Sequence, residues 1–319
     1  MPDTAAGPGD PEALEEAACL VCGSREAQPV ATSRAQMWGP AERFQWQRCR
    51  ACGLVYLSPR VPAARIGRYY EGYIPHRGPG AWGRWAGLVR TSEARTDRLR
   101  LARIRSLGPV GPGQAVLDVG CGRPSFLRLV CQETGARCVG TDFDDGGWRG
   151  APAEWPGLEL HAGELEQLPL AGPFDRITLW HVLEHLYDPV GTLRHLRTLA
   201  DARTRLVIEV PDHAGLSRRL QGDHWAGYHT PRHTAAYTPA SLRQALERAG
   251  WRVVAQQQWG TLDPWVLWWL GQQERGPRDW SGSLEGAFLP FVAGKVATLP
   301  LALLARWVPL GFQTAIAAA

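Results

Sequence analysis

The chain has 319 residues, which suits two domains or one large domain with an appendage. Hydrophobic residues make up 45% of the sequence, enough for a sizeable core, and this composition excludes wholesale disorder. The formal net charge of +4 is modest and does not by itself indicate a nucleic-acid partner, so none is expected.

Residues 1–17 are acidic and rich in alanine, glycine and proline, and we expect a flexible tail there. This opening shows neither the basic start nor the apolar run of a secretory signal. We therefore expect a reducing, cytoplasmic location. The seven cysteines are then expected to be thiols or metal ligands, without structural disulfides.

Two cysteine pairs with CxxC spacing lie within residues 18–60. They are Cys19/Cys22 and Cys49/Cys52, and a glycine follows each pair. Because each CxxC turn supplies two converging thiolates, the array predicts a module with one structural Zn²⁺ bound by all four sulfurs. Metal-free thiols are the alternative. A redox pair is disfavoured because no strand–helix context surrounds either motif.

Residues 61–107 are interpreted as a helical linker or lid, with a helix over residues 85–107. We expect its apolar side to comprise Leu88, Leu99, Ala102 and Ile104. The other side is rich in arginine, namely Arg90, Arg95, Arg98, Arg100, Arg103 and Arg105. Solvation explains such a face most simply, and anion or membrane binding is the alternative.

Strand and helix signals alternate from residue 115 onward. Strands are expected at residues 115–119, 137–141, 158–161, 176–180, 205–210, 251–257 and 312–318. Helices are expected at residues 126–134, 189–199 and 239–249. The stretch 143–157 contains two glycine and two proline breakers, so its helix is predicted to be short or missing. The alternation predicts an α/β, doubly wound parallel sheet over residues 108–319.

A glycine turn follows the first of these strands. Gly120-Cys121-Gly122 leads from the strand into a helix, and such a turn lets a backbone approach a nucleotide-type cofactor. Asp142 ends the next strand, where a carboxylate can accept both ribose hydroxyls. The alternative is a glycine turn beside an unrelated carboxylate.

These motifs resemble those of class I S-adenosylmethionine (SAM)-dependent methyltransferases from about residue 61 onward. Residues 116–122 are similar to motif I, residues 140–142 to the ribose-binding motif, and residues 163–164 to the adenine-binding position. Residues 174–189 and 208–211 resemble the fourth- and fifth-strand motifs. The resemblance implies a seven-stranded Rossmann-like fold and SAM as cofactor. The cofactor-binding residues that it implies are Asp118, Gly120, Cys121, Gly122, Asp142, Phe143, Glu164, Leu165 and His181.

Two further features bear on this resemblance. Residues 52–59, followed by Tyr69 and Tyr70, are similar to bacterial methyltransferases that carry a zinc-ribbon-like head. Pro124 stands where the family usually has a third glycine. Proline is well tolerated at a first helical position, but it removes one N–H that faces the cofactor in such turns.

Histidines are concentrated after the fourth and fifth strands of this series, where the fold presents its substrate. Methyl transfer is an in-line displacement, and an oxygen nucleophile needs a base to take its proton. We interpret His233 or His229 as this base, with His185 as the third candidate. Trp225, His213 and Tyr237 are predicted substrate contacts. A metal cluster of His224, His229 and His233 is an alternative without a supporting carboxylate spacing.

Residues 263–309 form an apolar insert between the last two strands. Lys295, Arg306 and three prolines interrupt it, so a membrane-spanning helix is not expected. Three interpretations remain, namely a cap over the active site, a homodimer interface, or a surface for peripheral membrane contact. A cap suits a hydrophobic, lipid-linked or carrier-linked small-molecule substrate.

The sequence therefore predicts a SAM-dependent methyltransferase behind a zinc-binding head. We expect O-methylation with a histidine base, and C- or N-methylation is the alternative within the class. From a different class, the alternative is a catalytically degenerate binding or scaffold protein with the same fold.

Overall fold

The computed structural model describes residues 14–37, 42–71, 78–276 and 280–319. Most of the predicted tail lies outside the described residues. Its last part, residues 14–17, packs on the module that follows: Glu15 pairs its backbone with that of Arg60, and Ala17 N donates to Ser58 Oγ at 3.0 Å. The ordered module therefore begins before residue 18.

The N-terminal module is an antiparallel sheet of β1 (Ala27–Arg34), β2 (Arg43–Cys49) and β3 (Val55–Leu57). A fourth strand, β9 (Ala235–Ala236), joins it from a distant part of the chain and pairs with β3. Because β9 belongs to the second half of the sequence, the module and the larger domain share one sheet. The module is thus anchored to the segment that contains His229 and His233.

The larger sheet has seven strands. They are β4 (Ala115–Val119), β5 (Arg137–Asp142), β6 (Leu158–Ala162), β7 (Arg176–Trp180), β8 (Arg205–Pro211), β10 (Arg252–Gln257) and β11 (Phe312–Ala318). Their order is β10-β11-β8-β7-β4-β5-β6, and β11 runs in the direction opposite to the other six strands. The winding direction reverses between β4 and β7, which places a ligand crevice at the carboxyl ends of these two strands. The predicted α/β doubly wound sheet is confirmed.

The helices begin and end where local chemistry favours it. They are α1 (Ala86–Arg105), α2 (Ser125–Thr134), α3 (Pro189–Thr198), α4 (Leu216–Gln221), α5 (Pro239–Arg248), α6 (Trp265–Gln273), α7 (Phe288–Ala297) and α8 (Leu299–Leu303). Asp188 accepts from Gly191 N at 2.9 Å ahead of α3, and Thr238 forms a capping box ahead of α5. Pro124 occupies the N-cap of α2, one position earlier than expected.

Helix α1 buries a different face from the one expected. Leu101 and Ile104 are buried, whereas Leu88 and Leu99 are exposed. The expected apolar side was therefore only partly right, because the helix packs through one short stripe near its carboxyl end. Between β5 and β6 the described residues contain only a three-residue 3-10 helix, Pro152–Glu154, so the predicted loss of a long helix there is confirmed.

The apolar insert packs on the chain itself through α6 and α7. Leu267 of α6 lies in a core cluster with Trp225 and Tyr228. The Phe288 ring of α7 stacks on Trp85 with centroids 4.8 Å apart. The outer side of α7 and α8 carries exposed apolar residues, namely Leu289, Val296, Leu299 and Leu301. Within the part of the chain that the structure describes, no helix is long and apolar enough to cross a bilayer.

Candidate functional site

The glycine turn after β4 lies at the switch point of the sheet. Gly120 and Gly122 have φ angles of +67° and +49°, which L side chains rarely adopt. A Cβ atom on Gly120 would stand 2.4 Å from Val182 Cγ2, so any side chain there would clash. A Cβ on Gly122 would meet no atom within 4 Å, so this side of the turn is open to a ligand.

Asp142 closes the turn from the end of β5. Its carboxylate accepts from Gly122 N and from Phe143 N, both at 2.8 Å. These bonds fix the orientation of the carboxylate and use only two of its lone pairs, which leaves acceptor capacity for hydroxyl groups. Burial raises its pKa despite the two backbone donors. The turn and this carboxylate suit the ribose and backbone contacts of a nucleoside-type cofactor.

The other predicted cofactor residues divide into exposed and internal ones. Phe143 is 60% exposed beside Asp142, and Glu164 is exposed ahead of the 3-10 helix Leu165–Gln167. Leu165 packs partly against the core, and Cys121 N donates to Thr141 O at 2.9 Å.

Asp118 is internal and accepts from Thr178 Oγ1 at 2.6 Å. Burial raises its pKa to about 7. Its side chain therefore stabilises the strand pair β4/β7 and lies under the turn.

His181 follows β7 with an unusual backbone φ of +60°. Its Nε2 lies 3.1 Å from Glu209 Oε1, and its Nδ1 lies 3.5 Å from Glu184 Oε1. Burial acts to lower the pKa of His181, but the two carboxylates raise it to about 9. A protonated His181 thus lies between two buried acids next to the glycine turn.

Three of the predicted histidines form a cluster. The ring centroid of His233 lies 4.4 Å from that of His185 and 4.9 Å from that of His229. Burial lowers the pKa of His185 and lowers the pKa values of the other two well below the ordinary value. All three rings are therefore neutral at neutral pH.

Each ring of the cluster has a different partner. His233 Nδ1–H donates to Gly227 O at 2.9 Å, which leaves its Nε2 lone pair for another group. His185 Nδ1 lies 2.9 Å from the Tyr70 hydroxyl. His229 Nε2 lies 3.5 Å from Arg232 Nη1. Of the three, His233 offers the clearest acceptor nitrogen.

The metal alternative of His224, His229 and His233 does not assemble as a group among the described residues. Ligand atoms of Glu184, His185 and His233 lie within 4.8 Å of one another, and among the described residues His224 belongs to no such group. The 3-10 helix Leu183–His185 turns Glu184 inward beside His185. A carboxylate partner exists after all, and sequence spacing missed it because Glu184 and His233 come from different loops.

The predicted substrate contacts are buried side chains. Trp225 has 0% exposure and donates from Nε1 to Ser217 Oγ at 3.0 Å. His213 Nε2 lies 3.2 Å from the Tyr228 hydroxyl, and burial lowers the pKa of His213 to about 3. The Tyr237 hydroxyl is buried and has no hydrogen-bond partner among the described residues. These side chains belong to residues 211–237, the segment that also contains His229 and His233, and we call this segment the histidine loop.

Two residues that sequence reasoning missed connect the cofactor turn to the cluster. Tyr70 bonds His185, and its ring centroid lies 5.9 Å from that of Phe143. Arg232 is 1% exposed and donates to backbone carbonyls of the first 70 residues, namely Tyr69 O, Gln36 O and Met37 O. Their place in the fold gives them these contacts; Tyr70 belongs to a stretch with a family resemblance, but neither residue was assigned a role in the site from sequence.

The four predicted zinc ligands converge in the module. Cys19 Sγ lies 3.3 Å from Cys52 Sγ, and Cys22 Sγ lies 3.4 Å from Cys49 Sγ. Sulfurs around a tetrahedral Zn²⁺ are about 3.8 Å apart, so a small expansion accommodates the ion. Without a metal, burial raises the pKa of Cys19 and raises that of Cys52 to about 11, whereas hydrogen bonds, the first from the Cys52 backbone, outweigh burial at Cys49 and lower its pKa to about 7. The donor set fits zinc.

The fold and the site together define a Rossmann-like SAM-dependent methyltransferase. A family model described as "Methyltransferase domain" matches residues 90–256, just over half of the chain, and the chain belongs to that family. It is therefore an enzyme of the SAM-dependent methyltransferase class.

Curated relatives match shorter stretches. A ubiquinone biosynthesis O-methyltransferase of Albidiferax ferrireducens is 36% identical over 32% of this chain and 42% of its own. A demethylmenaquinone methyltransferase of Mycolicibacterium paratuberculosis is 32% identical over 35% and 48%, respectively. The chain thus spans about half the length of the curated relatives it matches.

Among solved structures, the [4+2]-cyclase SpnF is similar with a TM-score of 0.53 at 15% identity. The match covers 82% of this chain and 97% of that one. This likeness concerns the fold alone.

Proposed function

We propose that the enzyme transfers a methyl group to an oxygen atom of a small hydrophobic molecule, with the histidine cluster removing the proton. The observation that carries this proposal is the contact made by Tyr70. Its ring lies next to Phe143 at the cofactor turn, and its hydroxyl lies 2.9 Å from His185 Nδ1. The cofactor end and the histidines are therefore adjacent.

Different residues would bind the cofactor and remove the proton from the substrate. Gly120, Gly122 and Asp142 would bind SAM, which supplies an electrophilic methyl group when bound. The base must accept a proton from the substrate hydroxyl. His233 suits this role best, because its Nδ1–H is committed to Gly227 O and its Nε2 is directed away from that bond. His229 and His185 remain the second and third candidates. His229 Nε2 already faces the donor Arg232 Nη1, and the Tyr70 hydroxyl does not fix which nitrogen of His185 accepts.

The substrate class follows from the relatives and the insert. Two curated relatives are named for ubiquinone biosynthesis and for demethylmenaquinone. Helix α6 covers the loop of Trp225 and Tyr228 with apolar side chains, and we propose that it caps a hydrophobic, lipid-linked or carrier-linked substrate. Under this proposal Trp225, His213 and Tyr237 shape the inner side of the substrate site.

Labelled SAM and a panel of phenols, hydroquinones and long-chain alcohols test the proposal. We expect methyl ether products, and we expect His233→Ala to lower kcat by roughly 10²–10⁴-fold while SAM affinity stays unchanged. His195→Ala, at a half-buried position of α3 outside the histidine cluster, is the matched control and should leave kcat unchanged. Products methylated at carbon or nitrogen would refute the O-methylation, and a fully active His233→Ala would refute the base.

We also propose that Cys19, Cys22, Cys49 and Cys52 bind one structural Zn²⁺. The four sulfurs leave no open position, so the ion serves stability. Elemental analysis of freshly reduced protein should give one zinc per chain, and Cys49→Ser should lose it. Because β3 pairs with β9, we expect that variant also to loosen the histidine loop, which hydrogen exchange at Ala235 and Ala236 would report. Zinc-free, fully folded protein would refute the assignment.

The outer side of the insert has a separate test. Leu289, Val296 and Leu301 are exposed on α7 and α8, and the cap proposal assigns them no role in substrate binding. Serine replacements there should leave KM unchanged. Light scattering and vesicle flotation of the same variants test the homodimer and peripheral membrane alternatives, each of which predicts a loss of association.

A further inference from the structure

The buried carboxylate of Glu184 is the least satisfied polar group near the site. The residue is 1% exposed, and neither carboxylate oxygen has a hydrogen-bond partner among the residues that the structure describes. A buried, ionised carboxylate without donors costs several kcal/mol. Its nearest charged neighbour is His181, at 3.5 Å.

His181 does not fully compensate this acid, because it also pairs with Glu209. That second acid has its own donors, Thr261 N at 2.7 Å and Thr261 Oγ1 at 3.0 Å. The guanidinium of Arg232 is committed to backbone carbonyls of the module. Two acids therefore share one histidine, and Glu184 is the one of the two that lacks further donors.

Two imidazoles also lie close to Glu184. His185 and His233 place nitrogen atoms within 4.8 Å of its carboxylate and of each other. His233 donates Nδ1–H to Gly227 O, and metal-binding histidines commonly make such a bond with the ring nitrogen that does not bind the metal. His185 is oriented in turn by the Tyr70 hydroxyl.

We propose that Glu184, His185 and His233 bind a divalent transition-metal ion. Two imidazoles and one carboxylate suit Zn²⁺, Fe²⁺, Mn²⁺ or Co²⁺ and leave coordination positions open. Ligand atoms around such an ion are about 3.3 Å apart, so the three side chains close in by an ångström or so when it binds.

The role of this ion rests on the proposed function. A hydroxyl bound at an open position would have a lowered pKa and would release its proton to solvent water, and His233 would then serve as a ligand instead of a base. Metal binding itself does not depend on methyl transfer, and it is measured without SAM or substrate.

Equilibrium dialysis of the full-length, tag-free protein against Co²⁺ tests the proposal. We expect one Co²⁺ per chain at this site, with weak visible bands of nitrogen and oxygen coordination and no added thiolate charge-transfer band. Glu184→Gln and His233→Ala should each weaken binding about 100-fold or more. His224→Ala is the matched control and should bind as the wild type does.

The outcomes separate the two proposals. Wild-type protein that binds no Co²⁺ up to about 1 mM, or variants that bind it equally well, would overturn the metal site and leave His233 as a free base. One bound Co²⁺ without any methyl ether product would uphold the site and count against O-methylation. If Glu184→Gln does not fold by circular dichroism, His185→Ala and His233→Ala decide the result.

Discussion

Arg232 is expected to be the side chain whose loss most weakens the connection between the N-terminal module and the histidine loop. It is almost fully buried and donates to Tyr69 O at 2.7 Å, Gln36 O at 2.9 Å and Met37 O at 3.3 Å. Arg232→Met preserves the length of the side chain and removes every donor. Three carbonyls then lose a charged donor, and each such bond contributes about 1.5 kcal/mol or more.

The apolar contacts of methionine offset part of the loss of these three bonds. The free energy of unfolding should therefore fall by about 4 kcal/mol. For a chain of this length that lowers Tm by roughly 6 °C. Urea denaturation and calorimetry measure both quantities. Arg203→Met is the control, because Arg203 pairs with Asp201 on the surface, where solvent screens the pair, and its loss should leave Tm nearly unchanged. Equal, small losses in the two variants would refute the reasoning.

Three further predictions concern single side chains. Asp142→Ala should weaken SAM binding by about 2–3 kcal/mol in calorimetry, because it removes a ribose acceptor and frees Gly122 N; unchanged affinity would contradict the cofactor site. Tyr237→Phe should raise the free energy of unfolding by about 1 kcal/mol, because it removes a buried hydroxyl that has no partner among the described residues; a loss of stability would show that the hydroxyl is satisfied. His213 has a folded pKa of about 3, lowered by burial and by Arg218 and Arg48. The unfolded chain thus binds more protons than the folded one below pH 6.5. Lowering the pH to 5 should therefore reduce the free energy of unfolding by about 2 kcal/mol. A His213→Gln protein whose stability falls equally steeply between pH 7 and pH 5 would rule this out.

Local rules account for the features that the sequence predicted well. The strands β4 and β7 are short, mostly apolar runs with the predicted bounds, since strands buried on both faces consist mainly of apolar side chains. Glycine at positive φ, CxxC turns and N-terminal caps depend on a few neighbouring residues. Their geometry is therefore encoded within about five positions of sequence.

The apolar side of α1 was predicted less well for the same reason. Helical periodicity places Leu88 and Leu99 on a plausible face, but only the part of the helix that meets the sheet is buried. Which turns of a helix reach the core depends on the angle at which it packs, and this angle is a property of the whole fold.

The sequence by itself determined the class of fold, the cofactor turn with Asp142 and the four cysteines, because each is a local pattern with a strong physical constraint. The tertiary structure decided how the candidate site is assembled. Tyr70 meets His185 across 115 positions of sequence, and β9 joins a sheet built from the first 60 residues. Glu184 and His233 become neighbours in the same way. Such contacts form because buried polar groups must find partners wherever the fold brings them, and no local spacing records that choice.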